Sequence, residues 1–151
     1  MKITTFDNAN YIIYTDGSCL GNPGRGGWAA IIIEPSGERK ITGSEKVTTN
    51  NRMELMAVIK ALKEIEVNSQ IILFSDSKYV IDGITKWVKN WKINDWQTTS
   101  KKEIKNLDLW KDLDKQTSKF KITWNWVKGH STDEYNNKVD RLARNEAEKI
   151  T

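Results

Sequence analysis

Apolar residues occur in this chain as short blocks whose period changes along its length. Tyr11 to Thr15 is apolar on both alternating faces, which predicts a central strand covered on both sides. The turn-forming cluster Gly21-Asn22-Pro23-Gly24-Arg25-Gly26-Gly27 separates it from a second apolar run, Trp28 to Ile33, as in a hairpin. Pro35-Ser36-Gly37 predicts another turn, and the more polar stretch Lys40 to Val47 a third strand at a sheet edge. From Asn51 to about Glu64 the period is helical, with Thr49-Asn50 placed to cap it. Ile71 to Ser75 then reads as a fourth strand. Ser77 to about Ser118 reads as helical pieces joined by a tryptophan-rich loop, Phe120 to Val127 as a half-exposed fifth strand, and Asn136 to Lys149 as a closing helix. A strand-helix-strand crossover keeps the fourth strand in the same sheet. The expectation is a mixed five-stranded α/β sheet flanked by helices, one domain over residues 1–151, without internal repeats.

Composition narrows the setting. No stretch approaches the length of a membrane span, and Met1 to Asn8 contains no apolar signal-like run, so a cytoplasmic chain with no membrane partner is expected. The single cysteine, Cys19, leaves no internal disulfide and no Cys-rich zinc site. The net charge is +4, and the stretch Lys86 to Lys105, with six lysines against two acidic residues, carries an equal local excess. Trp87, Trp91 and Trp96 lie in the same stretch. By itself this fits an amphipathic helix with its tryptophans in a small local core. Beside a metal site, it also fits phosphate contacts from lysine and sequence-tolerant stacking from indole rings.

Four acidic residues stand at the edges of apolar elements, where a fold has no reason to place them. Asp16 closes the first strand, on the face shared by Ile12 and Tyr14, and Asp76 closes the fourth. The helical stripe of Glu54 continues through Val58, Ala61 and Ile65, so it points inward; Asp140 lies early in the last helix, whose inner face is Val139, Leu142, Ala143 and Ile150. Grouped, poorly solvated carboxylates must take up protons or find positive charge. Hard divalent cations such as Mg²⁺, which take oxygen ligands and keep several waters, resolve that conflict. Convergence of Asp16 and Asp76 further requires the fourth strand to lie beside the first, in parallel. His130, the only histidine, sits in a loop after a strand, where a side chain that titrates near neutrality can move protons.

The motifs Tyr14-Thr15-Asp16-Gly17-Ser18-Cys19-Leu20-Gly21-Asn22-Pro23-Gly24, Asn50-Asn51-Arg52-Met53-Glu54-Leu55, Asp76-Ser77-Lys78-Tyr79-Val80 and Val127-Lys128-Gly129-His130 closely resemble bacterial ribonuclease HI, in family order and over nearly the whole chain. The resemblance implies a ribonuclease H-like sheet of order 3-2-1-4-5 with its first three strands antiparallel and a basic helical handle. It implies an endonuclease that cuts the RNA strand of RNA/DNA hybrids, leaving 5′-phosphate and 3′-hydroxyl ends, with two Mg²⁺ ions, or Mn²⁺ in their place. Asp16, Glu54, Asp76 and Asp140 would be the metal ligands and His130 a mobile acid-base group. The backbone of Gly17, Ser18 and Cys19, with Asn22, Asn50 and Glu54, would meet ribose 2′-hydroxyls. Asn51 and Trp87 would lie against the DNA strand, with Thr49 and Asn106 gripping one of its phosphates; capping by Thr49 is compatible with that role. Contacts of this kind address sugars and phosphates, so little sequence preference is expected. No obligate protein partner is implied, and a monomer is expected.

Three features depart from the family pattern. Lys78 stands where relatives commonly carry Gln, which exchanges a hydrogen bond for a phosphate contact. The handle, Lys92-Ile93-Asn94-Asp95-Trp96, is less basic than expected, which predicts weaker hybrid binding and a higher KM. After His130, Ser131-Thr132-Asp133-Glu134-Tyr135 brings an acidic pair towards the carboxylates. Two rival readings are a DNA resolvase or integrase core and a catalytically silent hybrid-binding module. The Gly-rich first motif and the handle speak against the former, and the complete set of four carboxylates and His130 against the latter.

Overall fold

The computed structural model describes residues 10–129 and 133–149. His130, and the residues at either end of the chain, lie outside the described residues. Three strands, β1 (Tyr11–Leu20), β2 (Gly24–Glu34) and β3 (Gly37–Thr48), form an antiparallel meander. Helix α1 (Asn50–Leu62) crosses to β4 (Gln70–Ser75), which pairs in parallel with β1. Helix α2 (Lys78–Asp82) runs through a π-helical turn, Gly83–Trp87, into α3 (Val88–Ile93); α4 (Leu107–Thr117), β5 (Lys121–Trp126) and α5 (Glu134–Lys149) follow. The sheet order is β3-β2-β1-β4-β5, as the resemblance implies.

Layering explains the apolar runs. In β2, Ala30 and Ile32 pack with Ile13, Leu55, Val58, Ile59 and Leu62 on the α1 side, while Ala29 and Ile31 pack with Val139 and Ala143 of α5 on the other. A strand covered on both faces has no place for alternating polarity. The outer strand β3 pairs along one edge only and alternates half-buried with exposed residues through Arg39 to Ser44, as suits an edge. Helix α5 lies so close to β2 that a Cβ on Gly27 would fall 2.3 Å from the Ala143 carbonyl oxygen.

One boundary differs from the sequence expectation in a way that matters. Asp16 does not close β1: the strand continues to Leu20, paired with β2 as far as Leu20 with Arg25, and only Gly21, Asn22 and Pro23 form the turn. The run of glycines looks like loop, but Gly26 and Gly27 are β2 residues that give room to Met53 and α5. What ends after Thr15, opposite Ser75, is the pairing of β1 with β4. Asp16 therefore lies where the sheet loses one neighbour while keeping the other.

The tryptophan-rich stretch is largely a local core. Trp91 and Trp96 pack against the main cluster around the fully buried Trp110, and Tyr79, Trp87, Trp91 and Trp110 make mutual ring contacts with centroids 5.2 to 6.3 Å apart. Gly83 in the π turn is in contact with the Trp110 indole, leaving no room for a side chain. Of these three tryptophans, Trp87 alone is exposed, at 36%, so stacking on a ligand falls to Trp87 rather than to the stretch as a whole. Two of its lysines are paired, Lys86 with Asp82 and Lys92 with Asp114, each at 3.3 Å. No helix among the described residues is long and apolar enough to cross a membrane.

Candidate active site

Asp16, Glu54 and Asp76 converge from β1, α1 and the end of β4, each offering an oxygen within 4.8 Å of those of the other two. The register explains the meeting of the aspartates. Thr15 and Ser75 are the last partners of parallel β1 and β4, so Asp16 and Asp76 are the next residues of adjacent strands. Beyond this point Gly17, on the opposite face of β1 from Asp16, admits the first turn of α1, which delivers Glu54.

Asp16 is 2% exposed, and its Oδ1 accepts a hydrogen bond from the Gly17 N–H at 2.8 Å. Its Oδ2 and the Glu54 Oε1 are both buried without a hydrogen-bond partner among the described residues. Burial, then the charges of Asp76 and Asp140, push Asp16 up to about 8, partly offset by the neighbouring Glu54 carboxyl. Glu54 is also raised, by burial and then by Asp16 and Asp76. Such a site favours protons or cations over bare carboxylates.

Asp140 enters from α5, on the face of β1 shared by Tyr14 and Asp16; Tyr14 stacks on Tyr135 of α5 with centroids 5.2 Å apart. Its carboxylate also pairs with Arg144 one turn later. It is thus a neighbour of Asp16 shared with a guanidinium, outside the close group of three.

The other candidates form a strip from this group. The Cys19 thiol donates to the carbonyls of Gly21 at 2.7 Å and Thr48 at 3.3 Å, and Ser18 beside it is half-buried. Asn22 Oδ1 accepts the Asn50 N–H at 3.1 Å, and Asn51 is exposed. Thr49 caps α1, its hydroxyl accepting from the Arg52 N–H at 3.3 Å. Asn106, with a left-handed backbone before α4, donates from Nδ2 to the Tyr79 hydroxyl at 3.0 Å and accepts on Oδ1 from Arg52 at 3.3 Å. Trp87 meets Tyr79 edge-on at 5.6 Å. Lys78, two residues after Asp76, holds its ammonium 4.6 Å from the centre of the Trp126 ring.

Sequence reasoning passed over four residues here. Arg52, within a quoted motif, forks onto Asp108 at 3.0 and 2.8 Å while touching Asn106. Gly129 lies so close to Asp76 that a Cβ there would be 3.0 Å from Oδ2. Trp126 donates its indole N–H to the Asp76 carbonyl at 3.0 Å. Asn136, one turn before Asp140, is 1% exposed with Nδ2 unpartnered among the described residues. Only its apolar surroundings in a helical period could have marked it.

Residues 8–148 match the family model described as RNase H. This chain belongs to the ribonuclease H family. A Ribonuclease H of Francisella philomiragia subsp. philomiragia is 51% identical over 151 residues, spanning 100% of this chain and 99% of the relative. One from Ehrlichia ruminantium is 54% identical over 135 residues, 89% of this chain and 92% of the relative. Among solved structures, LC9-RNase H1, a type 1 RNase H with the type 2 active-site motif, superposes with a TM-score of 0.84 at 32% identity, covering 100% of this chain and 76% of that one. LC11-RNase H1, solved in complex with RNA/DNA hybrid, shares the fold with a TM-score of 0.70 at 20% identity over 92% of this chain and 97% of its own. The resemblance to bacterial ribonuclease HI and the enzyme class, ribonuclease H, both hold for this chain.

Proposed function

We propose that this ribonuclease H acts as a single catalytic domain, residues 1–151, hydrolysing the RNA strand of RNA/DNA hybrids to 5′-phosphate and 3′-hydroxyl products with little sequence preference. The observation that carries this reading is the group Asp16, Glu54 and Asp76, within 4.8 Å of one another with two buried oxygens unpartnered among the described residues. An all-oxygen, acidic donor set in which burial raises the pKa of Asp16 and Glu54 fits Mg²⁺, and Mn²⁺ in its place. Asp16, Glu54, Asp76 and Asp140 would hold two ions. When bound, the pair supplies an acidified water and charge compensation at the leaving oxygen, so no protein nucleophile is needed.

The chain's own residues do the rest. Asp16 is held rigidly by strand pairing with β2 and by the Gly17 N–H. His130 would carry a proton to or from the reacting oxygens. The backbone of Gly17 to Cys19, with Asn22, Asn50 and Glu54, would read 2′-hydroxyls, which distinguish RNA from DNA. Thr49 and Asn106, bridged by Arg52, would grip one DNA phosphate, with Asn51 and Trp87 against that strand. The crystallised hybrid complex of the similarly folded LC11-RNase H1 is in keeping with such a surface. A cytoplasmic monomer without an obligate protein partner completes the proposal.

The test is cleavage of one end-labelled sequence as RNA/DNA hybrid, RNA/RNA, DNA/DNA and single-stranded RNA, with Mg²⁺, Mn²⁺ or EDTA. Metal-dependent cutting confined to the RNA of the hybrid is expected. Cutting of duplex DNA, or hybrid binding without cutting in either metal, would overturn the proposal.

A further inference from the structure

Lys78 poses a problem for the site it borders. It follows Asp76 by two residues, carries a compact cation on a flexible four-carbon stem, and is exposed at the start of α2. Asp16 and Glu54, grouped with Asp76, each bury a carboxylate oxygen that has no hydrogen-bond partner among the described residues. Left unrestrained, the ammonium could fold back onto these carboxylates and act as a resident counter-ion in place of a metal. It does not do so here. Its ammonium sits over the Trp126 ring, 4.6 Å from the centroid, and among the described residues it forms no salt bridge.

The ring is itself anchored to the site. Trp126 is the last β5 residue paired with β4, opposite Ser75, and its indole N–H donates to the Asp76 main-chain carbonyl at 3.0 Å. One side chain therefore fixes the backbone that carries Asp76 and offers the nearby lysine an alternative to the carboxylates. A cation over an indole face is attracted by the ring quadrupole while the exposed Lys78 stays in contact with water, whereas pairing with the buried carboxylates would cost the ammonium its solvation, so the ring can compete with them.

We propose that Trp126 is a positioning residue that parks Lys78 away from the metal-binding carboxylates, keeping them available to a divalent cation and the ammonium available to a substrate phosphate. The first half concerns metal binding without substrate; the second rests on the proposed hybrid-nuclease function.

Mg²⁺ titration of the substrate-free protein by calorimetry tests the first half. Trp126→Leu should weaken Mg²⁺ binding by about three- to tenfold. Trp126→Phe, which keeps a ring but loses the N–H donor, should stay within about twofold of wild type. The double variant Trp126→Leu/Lys78→Gln should return to the value of Lys78→Gln alone, because the competitor is gone. Unchanged Mg²⁺ binding in Trp126→Leu would overturn the inference. So would a double variant as weak as Trp126→Leu, since Trp126 would then act only through the Asp76 backbone or the fold. Should Trp126→Leu not fold, NMR of the wild type decides: the Lys78 ε-protons should be shifted upfield by the ring with and without Mg²⁺, and an unshifted signal would overturn the proposal. For the second half, Lys78→Gln should reduce the salt slope of hybrid binding by about one. A wild type that does not cut hybrids would remove the proposed function, while the Mg²⁺ titrations would still decide the role of Trp126.

Discussion

Gly17 lies against the backbone of Glu54: a Cβ on this glycine would fall 2.4 Å from the Glu54 nitrogen, 2.5 Å from the Met53 carbonyl carbon and 2.8 Å from Met53 Cβ. None of these atoms is the free end of a flexible side chain. The contact is the mechanical link that brings the α1 carboxylate to the β1 carboxylate. Gly17→Ala should therefore push α1 away from β1, destabilising the protein by about 1–3 kcal/mol through overpacking. Activity should fall further than stability, by about 100-fold, because displacement of Glu54 on the order of 1 Å disturbs the site. Thermal melts and single-turnover cleavage measure the two effects, and equal losses in both would argue against the link.

Asp16→Asn tests the same group from the opposite side. At neutral pH the fold keeps this carboxyl protonated at a cost that an amide does not carry, so Asp16→Asn should stabilise the metal-free protein by about 0.5–2 kcal/mol while abolishing metal-dependent cleavage, the trade expected where function rests on strained electrostatics. Urea unfolding in EDTA, with a parallel cleavage assay, checks both signs. A less stable variant would mean that Asp16 is a structural acceptor first.

The raised pKa of Asp16 fixes a pH dependence. In the unfolded chain its carboxyl titrates near 3.8, whereas in the fold it holds its proton up to about 8. Between these values the native state binds more protons than the unfolded one, so this group's contribution to metal-free stability falls as pH rises from about 4 to about 8. Mg²⁺ competes with those protons. The rise in melting temperature caused by Mg²⁺ should grow across that window and level off above it. Calorimetry in buffers of different ionisation enthalpy should show proton release on Mg²⁺ binding near neutral pH. A Mg²⁺ effect independent of pH would place the cation elsewhere.

The fold was legible where burial is simple. Apolar runs at Tyr11 and Ile71 and the helical stripe of Glu54 gave β4 and α1 nearly to their ends and β1 as far as Thr15, since strands covered on both faces and amphipathic helices leave direct marks in hydrophobicity. The continuation of β1 past Asp16 was not legible, because Gly26 and Gly27 serve close packing while glycines in sequence signal turns. The carboxylates could be picked out by misplaced charge, and three of them, Asp16, Glu54 and Asp76, converge. Their order could not: Asp140 is drawn towards Arg144, and an i,i+4 ion pair at the edge of a site looks like any exposed pair along a helix. Trp126 and Gly129 were invisible as site residues because each acts on Asp76 through a contact that only the assembled sheet creates.

Arg52 joins the two residues assigned to one phosphate. Its backbone N–H binds the Thr49 hydroxyl, its guanidinium touches Asn106 Oδ1 at 3.3 Å, and the same group forks onto Asp108 in the first turn of α4 at 3.0 and 2.8 Å. The pair holds the Asp108 carboxyl below its ordinary range, chiefly through this hydrogen bonding. Both side chains are partly or largely exposed, so the pair adds at most about 1 kcal/mol to stability. Its geometric effect is larger, since it sets the distance between the α1 cap and the left-handed Asn106. Arg52→Lys keeps the charge but cannot fork, and should leave the urea midpoint nearly unchanged while raising KM for the hybrid by about three- to tenfold. Thr49→Ala loses the cap and should lower stability by about 1 kcal/mol with a KM increase of similar size. Steady-state cleavage at two salt concentrations, beside urea unfolding, separates these effects. If Arg52→Lys lowers stability and leaves KM unchanged, the bridge serves the fold alone and Thr49 and Asn106 do not form a phosphate site.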